Sequence, residues 1–322
     1  MRQFSWSGNK DKSESESLIE STALEWYEAK HRKASKEEIS FINSIKITSC
    51  PYCNGTVNKN GHRKLDGLQI YRCRDCLRKF NPLTGTIFDS HKIPISEWIE
   101  YLLHLFEFHS IKTSSFDNRN VPTTGKYWLI KVFEVLKHIQ DSVVLEGEVY
   151  IDETFFPVIE SKKKKKNGLE LQGTSTNQLA VASGTDGKNS IFIYMKAGTP
   201  SEKSVWRAYH KHIKMESTLI HDGELAHNKL VDELLLKSIV YSSVSTKGLK
   251  DKDNPLHPIN NLHSKAKRFM RTHGGYDRNH LQDWMNLFWF IMNGPEDKFD
   301  KVKLFIERAI RTRKRVKYRN VM

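Results

Sequence analysis

All four cysteines of the 322-residue chain lie between residues 50 and 76 as two C-x-x-C pairs. Cys50 and Cys53 form the first pair, Cys73 and Cys76 form the second, and 19 residues separate them. This spacing is typical of structural zinc sites, in which four thiolates surround the ion as a tetrahedron. The alternatives are a redox pair, which would need only one C-x-x-C, and an iron–sulfur site with the same four ligands. The pattern favours structural zinc with no position open for catalysis.

Two aspartates stand in apolar segments further along the chain. Asp152 lies in VYIDETFF and Asp222 ends TLIHD. A carboxylate in a buried strand is costly unless it is paired or binds a metal, and oxygen ligands suit Mg²⁺. Each also has an ordinary explanation, a lysine partner for Asp152 and a simple Asp-Gly turn for Asp222. Glu153 is expected on the opposite sheet face and is the weaker candidate.

The elements that must position these groups follow from the hydrophobic pattern. After residue 147 the chain has three β-branched runs, and then helix, strand, helix and strand, which predicts a mixed sheet covered by helices. The strand segments are 147–158, 177–185, 189–198, 217–222 and 238–244, and the helices are 201–214 and 227–236. Two later helices are expected at 260–271 and 280–294, with the aromatic side chains of the second in the core.

The segments before residue 147 are predicted to be helical apart from the cysteine module. Residues 1–16 are expected to be disordered, and 17–45 have helical spacing, with Ser35 and Glu38 resembling a capping box. Helices are expected after Ser96 and from Thr124, separated by the turn-rich break SIKTSSFDNRNVP. This arrangement is compatible with a helix-turn-helix, and a plain helical hairpin remains the alternative.

The charge of the chain favours a polyanionic partner. Lys and Arg number 52 against 38 Asp and Glu, a net charge of +14, for which simple solubility is the alternative explanation. The lysine run at 162–166 is expected in an exposed hairpin loop or DNA-facing insertion. No apolar run long enough for a membrane span occurs, and the polar start lacks a secretory signal, so we expect an intracellular protein. The candidate DNA contacts are Arg63, Lys64, Arg74, Arg78, Lys79, Arg313, Lys314 and Arg315.

Several stretches, taken in order, resemble the DDE-type insertion-sequence transposases that carry an N-terminal zinc ribbon, the ISXO-like group related to eukaryotic Merlin elements. They are CPYC…CRDC with RKFNPLTGTIF, then PISEWIEYLL, YIDETFF, LIHDGE and INNLHSKAKRFMRTHGGYDRNHLQDWMNLFWF, across about residues 46–293. The resemblance implies an RNase H-like domain that uses Mg²⁺ to cut a DNA strand and transfers its 3′-hydroxyl to target DNA. It assigns Asp152 and Asp222 to the metal site, with a third group on the helix near Asn260.

The third metal-facing group departs from the family pattern. Where many relatives have Asn-x-x-Glu, this chain has Asn260, Asn261 and His263, and no acid occurs from residue 254 to 276. We interpret this as a branch variant (DD-N/H) in preference to inactivation. An imidazole or amide in place of a carboxylate should weaken Mg²⁺ and favour Mn²⁺. Lys267, four residues after His263, would share its helix face and be available to a phosphate.

The sequence thus predicts an α+β multidomain protein. Its parts are a partly disordered helical segment (1–45), a zinc ribbon (46–90), a helical, helix-turn-helix-like DNA-binding region (91–146), an RNase H-like catalytic domain (147–295) and a basic tail (296–322). The predicted function is a transposase of an insertion sequence that binds terminal inverted repeats and double-stranded target DNA as a dimer or larger oligomer. It would act in the bacterial cytoplasm at the nucleoid, or in a eukaryotic nucleus. The competitors are an inactive or domesticated zinc-ribbon regulator and a structure-specific nuclease.

Overall fold

The computed structural model describes residues 35–89, 94–117, 120–158, 163–164, 167–171, 173–242, 244–274 and 276–320. The disorder predicted for residues 1–16 and the helical pattern before residue 35 lie outside these ranges. The described residues divide into two compact units. One contains residues up to Leu105, Ile111–Tyr127 and those from Ile306; the other contains Phe106–Ser110 and Trp128–Phe305. None of the described helices combines the length and apolar character needed to cross a membrane.

The first unit contains helix α1 (Lys36–Ser44) and a three-stranded antiparallel sheet of β1 (Val57–His62), β2 (Gln69–Cys73) and β3 (Lys79–Phe80). Ser35 caps α1 as predicted, since its Oγ accepts the Glu38 N–H at 3.1 Å. The Glu38 carboxylate accepts the backbone N–H of Ile95 instead of completing the capping box. The buried cluster of the sheet is small and includes two of the cysteines; its fully buried members are Cys50, Tyr71, Cys73 and Phe80.

Helices follow the small sheet: α2 (Ile95–Phe106), α3 (Ile111–Asp117) and α4 (Pro122–Leu136). The turn-rich break predicted between two helices is therefore wrong, because it contains α3. Ser115 of this helix donates its hydroxyl to the Ile111 carbonyl at 2.7 Å. A Cβ on Gly125 would lie 1.8 Å from Ser115 Oγ, so the absence of a side chain there lets α3 and α4 approach closely. Pro122 begins α4, two residues before the predicted Thr124, at a position where proline is favoured.

The second unit is built on a five-stranded mixed sheet. Its strands are β4 (Glu148–Pro157), β5 (Gln178–Thr185), β6 (Ser190–Ala197), β7 (Thr218–His221) and β8 (Lys237–Val240). Their order is β6-β5-β4-β7-β8, with β4, β5 and β6 antiparallel and β4, β7 and β8 parallel. This is the RNase H-like arrangement, and the predicted fold class is confirmed. In the lysine run, Lys164 pairs with Glu170 in an isolated antiparallel bridge, and residues 162, 165 and 166 lie outside the described part.

The remaining elements of the chain are mostly helical. They are α5 (Glu202–Tyr209), a 3₁₀ turn (Leu225–His227), α6 (Asn228–Glu233), a 3₁₀ turn (Asp251–Asp253), α7 (His257–Thr272), a 3₁₀ turn (Arg278–His280), α8 (Leu281–Asn293), α9 (Lys298–Thr312) and a 3₁₀ turn (Tyr318–Asn320). Trp284, Phe288 and Phe290 of α8 are buried, as predicted, whereas Trp289 is half-buried. The segment predicted as a basic tail contains α9, whose apolar face includes the buried Val302, Phe305 and Ile306.

Candidate active site and zinc centre

The four cysteines converge at one end of the small sheet. Their sulfur atoms all lie within 4.8 Å of one another, with 3.6 Å between the Cys50 and Cys76 Sγ atoms and 3.4 Å between those of Cys53 and Cys73. None of the four forms a disulfide. A tetrahedron with zinc–sulfur bonds of about 2.3 Å has sulfur–sulfur edges of about 3.8 Å. The group can therefore hold a metal ion, and its size fits tetrahedral thiolate coordination.

Backbone amides of the two turns point at the sulfurs. The N–H groups of Asp75 and Cys76 donate to Cys73 Sγ at 3.3 and 3.4 Å, and the N–H of Tyr52 donates to Cys50 Sγ at 3.4 Å. The hydrogen bond from the Cys76 N–H is the main cause that lowers the pKa of Cys73 to about 7, and burial opposes this shift. These bonds favour the thiolate form that a metal requires.

The predicted DNA-contacting residues of the ribbon are all exposed, but not equally available. Arg63 is paired with Asp66, Arg74 donates to Asn58 Oδ1 from two nitrogens, and the Arg78 guanidinium lies 5.0 Å from the centroid of the Tyr52 ring. Lys64 and Lys79 are also exposed. Interactions of this kind are weak at an exposed surface, so the arginines can give up these partners for a phosphate.

The end of the described chain packs against the ribbon. Arg313 donates to the Thr84 carbonyl at 2.9 Å, and its guanidinium lies 5.8 Å from the Phe80 ring centroid. Burial lowers the pKa of Arg313, and the Cys50 thiolate opposes this shift. Arg315 lies 3.4 Å from Asp89, whereas Lys314 is exposed. DNA binding by Arg313, Lys314 and Arg315 stays a prediction. The Arg313 side chain already contacts Thr84 and Phe80 of the ribbon.

Arg313 also adopts a left-handed backbone conformation, with φ of 51°. A residue with a Cβ pays about 1 kcal/mol for this conformation, which glycine avoids. Replacing Arg313 by Ala should cost about 1–3 kcal/mol of unfolding free energy, because the hydrogen bond and ring contact are lost. Arg313→Gly should cost about 1 kcal/mol less than Arg313→Ala. Urea unfolding, monitored by the release of bound zinc, measures the unfolding free energy of both variants. Lys314→Ala is the control and should leave stability unchanged. Equal stability of Arg313→Ala and wild type would contradict the anchoring role.

A cleft of about 410 Å³ lies beside the first cysteine pair. It is lined by residues 49–54 and by Arg311 and Arg313. Arg311 is largely exposed, although it lies 3.6 Å from Glu307 on the same helix. The lining contains two guanidinium groups and no carboxylate, which suits an anion.

The register of the large sheet brings the two predicted aspartates to corresponding positions of neighbouring chain segments. Tyr150 of β4 pairs with Ile220 of β7 in parallel register. Asp152 and Asp222 each follow two residues later, and side chains two residues apart share a face. The charge of Asp222 is one of the causes that raise the pKa of Asp152, which is consistent with the two carboxylates lying near each other. Asp222 comes directly after β7, at the start of a turn in which Gly223 has a φ of 89°.

Asp152 is only partly accessible, with 27% of its side chain exposed. Burial, followed by the negative charge of Glu153, raises the pKa of Asp152 to about 7. The N–H of Glu153, which donates to Asp152 Oδ1 at 2.7 Å, opposes this shift, and the charge of Asp222 adds to it. Such a carboxylate is poorly compensated by the protein alone, which is characteristic of metal and catalytic sites.

Helix α7 contributes a histidine to this face. His263 Nδ1 lies 3.7 Å from Asp152 Oδ2, and His263 Nε2 is buried with no hydrogen-bond partner among the described residues. Burial and the charge of Lys267 lower the pKa of His263 to about 4, so its ring is neutral at neutral pH. Asn260 and Lys267 lie three residues before and four after His263, on the same helix face, with Asn260 half-buried and Lys267 exposed. The neutral ring of His263 and the Asp152 carboxylate are donor types that suit a divalent cation.

Glu153 has a role that its sequence pattern did not reveal. Its carboxylate lies 3.2 Å from His227 Nε2, and the Nδ1 of His227 lies 3.9 Å from Asp222 Oδ1. Burial lowers the pKa of His227, but the hydrogen bond to Glu153 and the surrounding carboxylates outweigh it and raise the pKa. Alternation along β4 correctly placed Glu153 away from Asp152. The partner was not predictable, because it lies 74 residues away in sequence.

Neutralising Asp152 should stabilise the protein when no Mg²⁺ or Mn²⁺ is added. The ionised form is disfavoured in the folded state, so its cost grows as the pH rises from the ordinary pKa of 3.8 to about 7 and is complete above that. We expect Asp152→Asn to raise the unfolding free energy by about 1–3 kcal/mol at pH 8 and hardly at pH 4. Thermal unfolding at the two pH values, with Glu148→Gln as the exposed control on the same strand, measures the difference. An unchanged midpoint at pH 8 would contradict the burial argument.

The order and directions of the five strands define an RNase H-like domain, and the family comparison is consistent with this class. Residues 144–293 match the model of the ISXO2-like transposase domain. This match confirms the resemblance to a DDE-type insertion-sequence transposase that was drawn from the sequence. No curated protein matches the chain.

Among solved structures, distant likenesses involve Mos1 transposase. Its strand transfer complex matches with a TM-score of 0.30 and 11% identity, covering 70% of this chain and 78% of that one. A pre-cleavage transpososome gives a TM-score of 0.27 at 11% identity and covers 71% and 82%. A paired end complex with Mg gives 0.28 at 13% identity and covers 71% and 83%.

Proposed function

We propose that this chain is a DNA transposase that binds the terminal inverted repeats of its own mobile element, cuts a strand there and joins the freed 3′-hydroxyl to target DNA. The observation that supports the proposal is that Asp152 and Asp222 each come two residues after the paired residues Tyr150 and Ile220, with His263 3.7 Å from Asp152. The transposase domain across residues 144–293 supports it.

Asp152 and Asp222 would hold the divalent cations, with the neutral ring of His263 as a third ligand. Asn260, one turn earlier on α7, offers an amide oxygen to the same face. Bound Mg²⁺ or Mn²⁺ would activate the attacking oxygen and stabilise the leaving oxygen. Lys267 is exposed on the same helix face and would contact a phosphate beside the scissile bond.

The donor set favours Mn²⁺ over Mg²⁺. Two carboxylates and an imidazole carry one negative charge fewer than three carboxylates, and imidazole prefers a first-row transition metal to Mg²⁺. The site would therefore bind Mn²⁺ more tightly than Mg²⁺.

The first unit is the proposed DNA-binding part. Structural zinc held by the four thiolates would keep the ribbon folded, and its exposed cations would contact phosphates at the element end. The cleft lined by Arg311 and Arg313 would accept one phosphate. Since both ends of an element must be held together, we propose a dimer or larger assembly on DNA.

The test uses a supercoiled plasmid that carries the DNA bordering the gene. The wild-type chain should nick this plasmid with Mn²⁺, and more slowly with Mg²⁺, and should join the 3′ ends to a second plasmid. Cleavage without joining would indicate a structure-specific nuclease.

The competing function is a DNA-binding regulator without catalysis. The observation that favours it is the absence of a carboxylate from α7, where no acid occurs between residues 254 and 276. Binding to the bordering DNA without nicking in either metal would establish this alternative.

A further inference from the structure

A chain of hydrogen-bonded polar side chains, buried except at its Ser238 end, lies beside the two aspartates. It runs from Glu153 on β4 through His227 in the 3₁₀ turn to His221 at the end of β7, and ends at Ser238 on β8. The contacts are 3.2 Å from Glu153 Oε1 to His227 Nε2, 3.0 Å between the Nδ1 atoms of the two histidines, and 3.0 Å from His221 Nε2 to Ser238 Oγ. His227 is completely buried, and His221 and the Glu153 side chain are 2% and 8% exposed.

The positions of the protons follow from a backbone amide. The N–H of Gly223 donates to His221 Nδ1 at 3.2 Å, so that nitrogen carries a lone pair. The short contact between the two Nδ1 atoms therefore has His227 as the donor, and His221 places its own proton on Nε2, facing Ser238. Every ring nitrogen of this pair is thus occupied by a hydrogen bond.

The chain of hydrogen bonds constrains both aspartates. Asp222 lies between His221 and Gly223 in sequence, and hydrogen bonds of this chain fix both neighbours. The Oδ1 atom of Asp222 is 3.9 Å from His227 Nδ1. Glu153, which holds His227 from the other end, also donates its backbone N–H to Asp152 Oδ1 at 2.7 Å. A Cβ on Gly223 would lie 2.6 Å from Val240 Cγ1, so the turn is also held against β8.

We propose that Glu153 and His227 are positioning residues that hold Asp152 and Asp222 in the geometry needed to bind divalent cations, without touching the cations themselves. This inference rests on the proposed metal-dependent function. Buried groups that orient metal ligands in this way typically change metal affinity or activity by about 10–100-fold when they are lost.

A metal bound directly by the histidines is the main rival. His221, Asp222 and His227 could offer ligand atoms within 4.8 Å of one another. The Gly223 N–H already occupies the lone pair of His221 Nδ1, which favours hydrogen bonding over coordination. The two arrangements predict different numbers of bound ions, so stoichiometry separates them.

The test measures Mn²⁺ binding directly, by the electron paramagnetic resonance signal of free Mn²⁺, on the full chain with its zinc in place. His227→Leu should raise the Mn²⁺ dissociation constant about 10–100-fold with the number of Asp152-dependent ions unchanged. His227→Gln, whose amide can still reach Glu153, should recover part of the loss. Affinity for the bordering DNA should stay unchanged in both variants.

A second variant covers the case in which His227→Leu fails to fold. The double variant Glu153→Leu/His227→Leu leaves no unpaired buried charge, and such apolar replacements are often neutral for stability. It should keep the wild-type melting temperature and still bind Mn²⁺ at least tenfold more weakly.

Two results would overturn the positioning role. One is a folded double variant that binds Mn²⁺ as tightly as wild type, and the other is the loss of one ion per chain in both His227 variants, which would make the histidine a ligand. Failure of the proposed function looks different: the wild-type chain would bind Mn²⁺ through Asp152 and cut no DNA.

Discussion

Asp152→Asn should lower strand cleavage by at least about 10³-fold in Mn²⁺ while leaving DNA binding intact. The substitution keeps the size of the side chain and removes a charge that faces Asp222 across neighbouring strands. A cation that stabilises charge in a phosphoryl-transfer transition state contributes several kcal/mol, and each 1.36 kcal/mol is tenfold in rate. The initial rate of plasmid nicking at saturating Mn²⁺ measures the loss.

Glu148→Gln is the matched control for this experiment. Glu148 lies four residues earlier on β4, on the same face of the strand, and is exposed. Its loss should change the nicking rate less than twofold. Equal nicking by Asp152→Asn and wild type, with DNA binding retained, would contradict the metal-dependent mechanism. The DNA-binding regulator without catalysis would then be the remaining function.

Cys73→Ser should abolish zinc binding and unfold the ribbon. Cys73 is buried in the small cluster of the ribbon, and its thiolate accepts two backbone N–H bonds. Structural zinc supplies about 10–16 kcal/mol to domains of this kind, far more than so few buried side chains can replace. We expect zinc content to fall from one ion per chain to none, and affinity for the bordering DNA to fall at least about 100-fold.

The control for the ribbon is Thr56→Ala, an exposed position beside the first cysteine pair. It should retain one zinc ion and wild-type DNA affinity. Metal analysis also tests the identity of the ion, since iron and a visible absorption band would indicate an iron–sulfur centre. A Cys73→Ser chain that keeps zinc and its secondary structure would contradict the structural role.

The local chemistry of both sites could be predicted from the sequence. C-x-x-C spacing is short-range, so the four thiols were identifiable without knowing the fold. The apolar runs around Asp152 and Asp222 predicted strands, and the strands occur within a few residues of the predicted bounds. Because β4 and β7 pair in parallel with Tyr150 opposite Ile220, Asp152 and Asp222 occupy corresponding positions two residues further on.

The features that the sequence did not predict depend on partners far apart in the chain. Helix α3 was hidden because serine and asparagine usually signal turns, and its close packing against Gly125 is a tertiary effect. His227 read as one more polar residue near a helix start, and only the folded sheet brings it to Glu153. Arg313 looked like part of a basic tail, since nothing local indicates that Phe80 and Thr84 receive it.

The contact between Arg313 and Thr84 joins residues 229 positions apart. A ribosome must therefore synthesise the chain past residue 313 before the zinc module gains this support. Chains released early would carry the cysteines and lack the arginine that covers Phe80. Removal of the residues from Arg313 onward would thus weaken the zinc module, although the two lie far apart in sequence.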